Sequence, residues 1–155
     1  MRNKFLKQMR FWGMLCHLSA IAAWMLVIYL LFIGVPLYLP LNILAPLIIW
    51  RYKKAQYPWI DFQGKESLNF QISLTLYTLV FIIISLLILL VTFGVSIISN
   101  NIFTQVQPIF NGLLIGSLIL ILGELSFQLF VVNFAAIKAY KGEHYRYPFT
   151  IRLLR

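Results

Sequence analysis

Long apolar stretches alternate with short basic ones along this chain, and the alternation predicts its elements. The first apolar run, 11–33, is continuous enough to cross about 30 Å of hydrocarbon as a helix rising about 1.5 Å per residue. Gly34-Val35-Pro36 breaks it. The next run, 36–50, holds Pro36, Pro40 and Pro46 and reaches only about 22 Å as a straight helix. Internal prolines also remove backbone donors, so this segment reads as a short, kinked span or as half of a re-entrant hairpin. A polar loop, 51–67, follows. Trp50, Tyr52, Tyr57 and Trp59 border it, and Asp61 is placed to N-cap a helix from Phe62 through Ser99 that begins at the interface. Two long apolar runs, 68–98 and 109–138, are joined by an uncharged connection. Residues 139–155 form a basic, aromatic tail.

Charge turns these elements into a topology. All thirteen basic residues fall in three groups: Arg2 to Arg10, Arg51 to Lys65, and Lys138 to Arg155. Lys and Arg beside membrane spans stay on the cytoplasmic side, so all three groups belong there. The chain must then cross an even number of times between successive groups. The expected fold is all-α, one polytopic membrane domain of four transmembrane helices with both termini cytoplasmic.

Composition agrees: 61% of residues are hydrophobic and 11% charged, against about 45–50% and about 25% in soluble domains. A net charge of +9 might suggest nucleic acid. Its confinement to the borders of apolar runs reads instead as topology and attraction to anionic lipid. Ala20-Ile21-Ala22 imitates a signal-peptide cleavage site. The apolar run continues past it, which favours an uncleaved span. Cys16 is the lone cysteine, no Cys/His metal spacing exists, and no cofactor is expected.

Polar residues inside the apolar runs are the candidates for chemistry. Glu124 lies midway along the fourth run and shares a helical stripe with Ser117 and Gln128. An intramembrane carboxyl costs about 3 kcal/mol if ionised, so it marks either a proton or cation site or a protonated interhelical bond. A second group, His17, Asn42, Thr75 and Asn133, lies at matching depths of about 8–12 Å and is expected to meet in one polar layer. Asn69, Gln71 and Ser73 would line its mouth. Such a layer serves as interhelical glue or as a vestibule. Gly112 and Gly116 suit close helix packing. No nucleophile, metal set or phosphate loop converges, so an enzyme is not expected.

Four words of the sequence carry a resemblance. They are Leu15-Cys16-His17-Leu18-Ser19; Asn42 to Trp50; Gly64-Lys65-Glu66-Ser67-Leu68-Asn69-Phe70-Gln71; and Ala135 to Ala139 followed by Gly142-Glu143-His144-Tyr145-Arg146-Tyr147-Pro148. In order, over nearly the whole chain, they resemble the Tic-twenty-like family of small membrane proteins. Its bacterial members have no known function, and it is named after a subunit of the chloroplast inner-envelope translocon. The resemblance implies a four-helix membrane fold, a link to protein translocation, and no catalytic residues. Leu41 and Ala45 depart from the family's glycines, and Glu124 is not a family feature. In this reading Gly64, Lys65 and Glu66 open the third helix at the interface. Lys65 would reach headgroup phosphate, Glu66 would favour the positive helix end, Tyr145, Tyr147 and Pro148 would anchor the tail at the headgroups, and Asn69, Gln71 and Arg146 would belong to the same motif interface.

Two functions follow as expectations. One is a non-enzymatic subunit or assembly factor of a membrane complex, with a protein partner. The other is a small homo-oligomeric channel or transporter using Glu124. The bacterial inner membrane is the expected location, with the plastid inner membrane as the alternative.

Overall fold

A computed structural model describes residues 2–34, 40–98 and 102–155. The chain is all-α. Helix α1 is Arg2–Phe32, α2 Leu41–Lys53, α3 Pro58–Ile98 and α4 Ile102–Lys141. Three helices are long and apolar enough to cross a membrane, over Asn3–Leu30, Pro58–Ile98 and Thr104–Lys141. With 13 residues α2 is not. The start of the expected second span at Pro36 lies outside the described residues.

The helices start earlier than the apolar pattern alone suggests. The basic lead-in is helical from Arg2, because straight-chain Lys, Arg and Gln favour helix. The loop expected over 51–67 shortens to a turn at 54–57. Pro58 occupies the first position of α3, where its missing N–H costs nothing. Asp61 therefore sits in the first turn of α3 instead of capping it. There it accepts a hydrogen bond from Trp50 Nε1 at 2.9 Å and pairs with Lys65 at 2.6 Å. Likewise Pro108 lies within α4.

The chain divides into two compact units, Met1–Leu74 with Gln128–Arg155, and Thr75–Phe127. In the first unit α1 runs parallel to the start of α3. Gly13 lies against Trp59, and the Cys16 carbonyl accepts from Ser67 at 2.9 Å. Helix α2 runs the opposite way, with Asn42 donating to Gln71 at 3.2 Å and Trp50 beside Asp61. Small buried residues, among them Ala20, Ala135, Ala136 and Ala139, let the helices approach closely. Gly64 is the tightest such point. A Cβ there would stand 2.7 Å from Trp50 Cβ, inside van der Waals contact.

The end of α4 is a Schellman turn. Glu143 N–H donates to the Lys138 carbonyl at 2.9 Å and Gly142 N–H to the Ala139 carbonyl at 3.1 Å. Gly142 takes φ +85°, a conformation suited to glycine. That turn directs residues 143–155 back over the first unit.

In the second unit, the α3 and α4 segments run antiparallel. Thr78 Oγ1 donates to Glu124 Oε2 at 3.0 Å, and Ser96 Oγ donates to Gln105 Oε1 at 3.3 Å. Large apolar side chains face outward on both segments.

Candidate functional site

The first unit hides polar groups. His17, Gln63, Glu66, Ser67, Asn69, Gln71, Ser73 and Gln128 are all buried. Burying such groups is unfavourable unless each finds a partner, and a directed relay at the centre meets that demand. Gln63 Nε2 lies 3.2 Å from the Glu143 carbonyl, which can only accept. The amide NH₂ must therefore face Glu143, which turns Gln63 Oε1 toward His17 Nε2 at 2.8 Å. Nε2 then carries the imidazole proton, and Nδ1 accepts from the Tyr147 hydroxyl at 2.8 Å. The relay runs Tyr147, His17, Gln63, Glu143 carbonyl, with each donor used once.

Tyr147 also stacks on Phe70, with centroids 4.2 Å apart and planes 12° from parallel. Both belong to the apolar cluster of Phe70, Val131, Val132, Ala135 and Tyr147. Burial pushes the Tyr147 phenol well above its ordinary pKa, and the neighbouring Tyr145, Glu66 and Cys16 add to the shift. The hydroxyl stays protonated and keeps donating. Burial raises Tyr145 too. On the exposed side of the same tail, a hydrogen bond from Lys138 holds Glu143 below the usual carboxylate range.

Beyond Tyr147 the tail is tied to α3 by backbone bonds. Asn69 Nδ2 donates to the Leu154 carbonyl at 2.9 Å, and Asn69 Oδ1 accepts from Leu154 N–H at 2.8 Å. The Ser73 hydroxyl accepts from Ile151 N–H at 2.8 Å. Arg152 reaches Glu66 at 3.5 Å. One primary amide thus matches a backbone amide in both directions. These contacts do not depend on which side chains the tail carries there.

The residues expected to form one polar layer do not share it. His17 joins the relay, and Asn42 pairs with Gln71. Asn133 is exposed and donates to its own helix at the Leu129 carbonyl, 2.7 Å away. The packed face of α4 is the one carrying Val132, Ala135 and Ala136, which turns Asn133 outward. Thr75 is exposed in the second unit. Of the expected stripe, Glu124 accepts from Thr78, and Ser117 donates to Leu114 and lines an apolar recess with Phe81 and Phe110. Gln128 is buried in the first unit.

The interface expectations change in kind. Lys65 is engaged by Asp61. Glu66 lies two turns into α3, buried, where the helix end has little influence. Tyr147 is buried in the core instead of sitting at the headgroups, while Arg146 and Pro148 are exposed and Tyr145 is partly buried. Gln63 and Ser67 fall within the helix expected from Phe62 but were not singled out as site residues. Their spacing with Phe70 and Leu74 is a helical stripe, and that was the available signal.

Comparison with known proteins supplies a family. The model of the MamF/MmsF family, the magnetosome magnetite crystal formation protein family, matches residues 8–154. No curated protein and no solved structure matches. The extent of that match overturns the resemblance to the Tic-twenty-like family, and the translocation role falls with it.

Proposed function

The chain belongs to the MamF/MmsF magnetosome protein family, and from that membership we propose a non-enzymatic, multi-pass protein of the magnetosome membrane that takes part in magnetite crystal formation. The family match over 8–154 is the observation that carries this reading. The basic segments of the first unit, with both termini, face the cytoplasm. All thirteen basic residues fall within its segments, which supports that orientation. Helix α2, too short at 13 residues to span the hydrocarbon by itself, runs antiparallel to the start of α3 and brings the chain back to the basic end.

The same orientation separates the protein from direct mineral chemistry. The connections 33–40 and 99–101, on the far side, contain no Asp, Glu, His or Cys. Iron in water prefers carboxylate, imidazole and thiolate ligands, and these connections offer none. The protein therefore influences the crystal through the membrane or through a partner, as a subunit or assembly factor. Glu124 serves as an interhelical pin with Thr78.

Deleting the gene in a magnetosome-forming cell, with crystal sizes measured by electron microscopy, tests this. Altered crystals, restored by the intact chain and by a chain carrying Ser or Gln in both far-side connections, are expected. Unaltered crystals would remove the reading, and rescue that fails only when those connections are changed would restore direct mineral contact.

A further inference from the structure

Residues 143–155 run inward from the basic end of α4 and then turn back, and their contacts on α3 trace the path. His144 meets the Trp59 and Phe62 rings edge to face, with centroids 4.4 Å and 4.6 Å apart. Tyr147 lies further along α3, stacked on Phe70. The Ile151 N–H lies further still, at Ser73 Oγ. The chain then returns, with Arg152 at Glu66 and Leu154 at Asn69. The turn is at Pro148 and Phe149. There Phe149 takes φ +55°, a left-handed conformation that bulky residues rarely adopt.

This path crosses the level at which charge ends. Beyond Glu66, α3 carries no charge through Ile98. Ser73 stands two turns past Glu66, about 10 Å along the helix. On α4, the side chains clustered with Tyr147 are Val131, Val132 and Ala135, all inward of Lys138. The tail is sorted in the same way. Arg146, Arg152 and Arg155 are exposed, and Tyr147 to Ile151, between the first two, carry no charge. Phe149, Ile151 and Leu153 are 81%, 41% and 57% exposed. They alternate along the returning strand, so one apolar face points away from α3.

Non-helical backbone at membrane depth is tolerated only where protein satisfies its polar groups. Gln63 donates to the Glu143 carbonyl, Ser73 accepts from the Ile151 N–H, and Asn69 bonds both groups of Leu154. The buried amides and hydroxyl of α3 thus do for the tail what water cannot do inside a bilayer.

We propose that the tail is a re-entrant loop. Its tip, Pro148 to Ile151, enters the acyl region of the leaflet at the basic end of the unit, and Arg146, Arg152 and Arg155 stay among the headgroups. An apolar tip beyond a rim of arginines matches an anionic leaflet, with acyl chains beneath phosphates. The loop requires a chain that spans a membrane and is independent of any role in crystal formation.

The test uses the full chain in vesicles of phosphatidylcholine and phosphatidylglycerol. It is photolysed with a phospholipid carrying a diazirine in mid-acyl chain, or with one carrying it on the headgroup. The unsubstituted chain suffices, because trypsin frees residues 147–152. The acyl probe should mark that peptide, and the headgroup probe should mark it far less. Spin labels on Phe149→Cys, Leu153→Cys and Arg155→Cys, with the native Cys16 buried, then give depth from collisions with oxygen and a nickel chelate. Phe149→Cys should lie on the order of 10 Å deeper than Arg155→Cys, with Leu153→Cys between them. Marking by the headgroup probe alone, or free collision of Phe149→Cys with the nickel chelate, would overturn the insertion. A tip that neither probe marks and neither collider reaches would be covered by protein, a second copy or a partner, and would overturn lipid as its occupant.

Discussion

The two units bury opposite kinds of surface. The first hides amide, imidazole and phenol groups in a directed relay among small apolar residues. The second turns Leu90, Val91 and Ile119 outward at 67%, 67% and 65% exposure. Water would penalise that second arrangement heavily, and a bilayer does not. The contrast shows two sources of order in one chain. Hydrogen-bond geometry specifies the first unit, because a misplaced helix would strand several buried donors. Hydrocarbon thickness and helix-on-helix packing specify the second, where few polar groups constrain the partners.

Substitutions can break this contrast. The largest loss is expected from His17→Leu. It leaves the Tyr147 hydroxyl and Gln63 Oε1 buried without partners, at about 1–3 kcal/mol for each, read as a lowered unfolding temperature in detergent. Gly64→Ala should come next. It forces a methyl into Trp50 and costs about 1–3 kcal/mol as α2 shifts away from α3. Asn69→Ala should cost about 1–2 kcal/mol by releasing both bonds to Leu154. It should also speed deuterium exchange at the Ile151 and Leu154 amides while leaving the second unit unchanged. In the second unit, Glu124→Gln should cost less than about 1 kcal/mol, because an amide oxygen still accepts from Thr78. A loss as large as that of His17→Leu would erase the distinction between the units.

The smallest effect is one of pH. The folded pKa of Tyr147 lies above its unfolded value. Its contribution is therefore whole below about pH 10 and is lost as pH rises through the folded value. Stability measured between neutral pH and pH 11 should fall in the wild type, and the fall should be smaller in Tyr147→Phe.

Much of the fold was legible in the sequence. The break at Gly34, the apolar runs and the basic borders correspond to four helices, because period and charge are local signals. The helix starts were less so, since Pro58 opens α3 ahead of the start expected at Phe62. The relay was only half legible. His17 stood out as a histidine in an apolar run. Its partners come from residues 63 and 147, and no periodicity links separations of 46 and 130 residues. The tail clamp was hidden for a different reason. It binds the backbone of Ile151 and Leu154, and backbone bonds leave no mark on the side chains that the sequence spells.

The central claim of the proposed topology is that the basic segments and both termini face the cytoplasm and the 99–101 connection faces the other side. Single cysteines tell the sides apart, given that the native Cys16 is buried. Arg155→Cys and Asn100→Cys would each be exposed, in sealed magnetosomes, to a membrane-impermeant maleimide. Labelling of Arg155→Cys alone, with Asn100→Cys reacting only after the membrane is opened, is the predicted result. Labelling of Asn100→Cys in sealed vesicles, with Arg155→Cys protected, would contradict it.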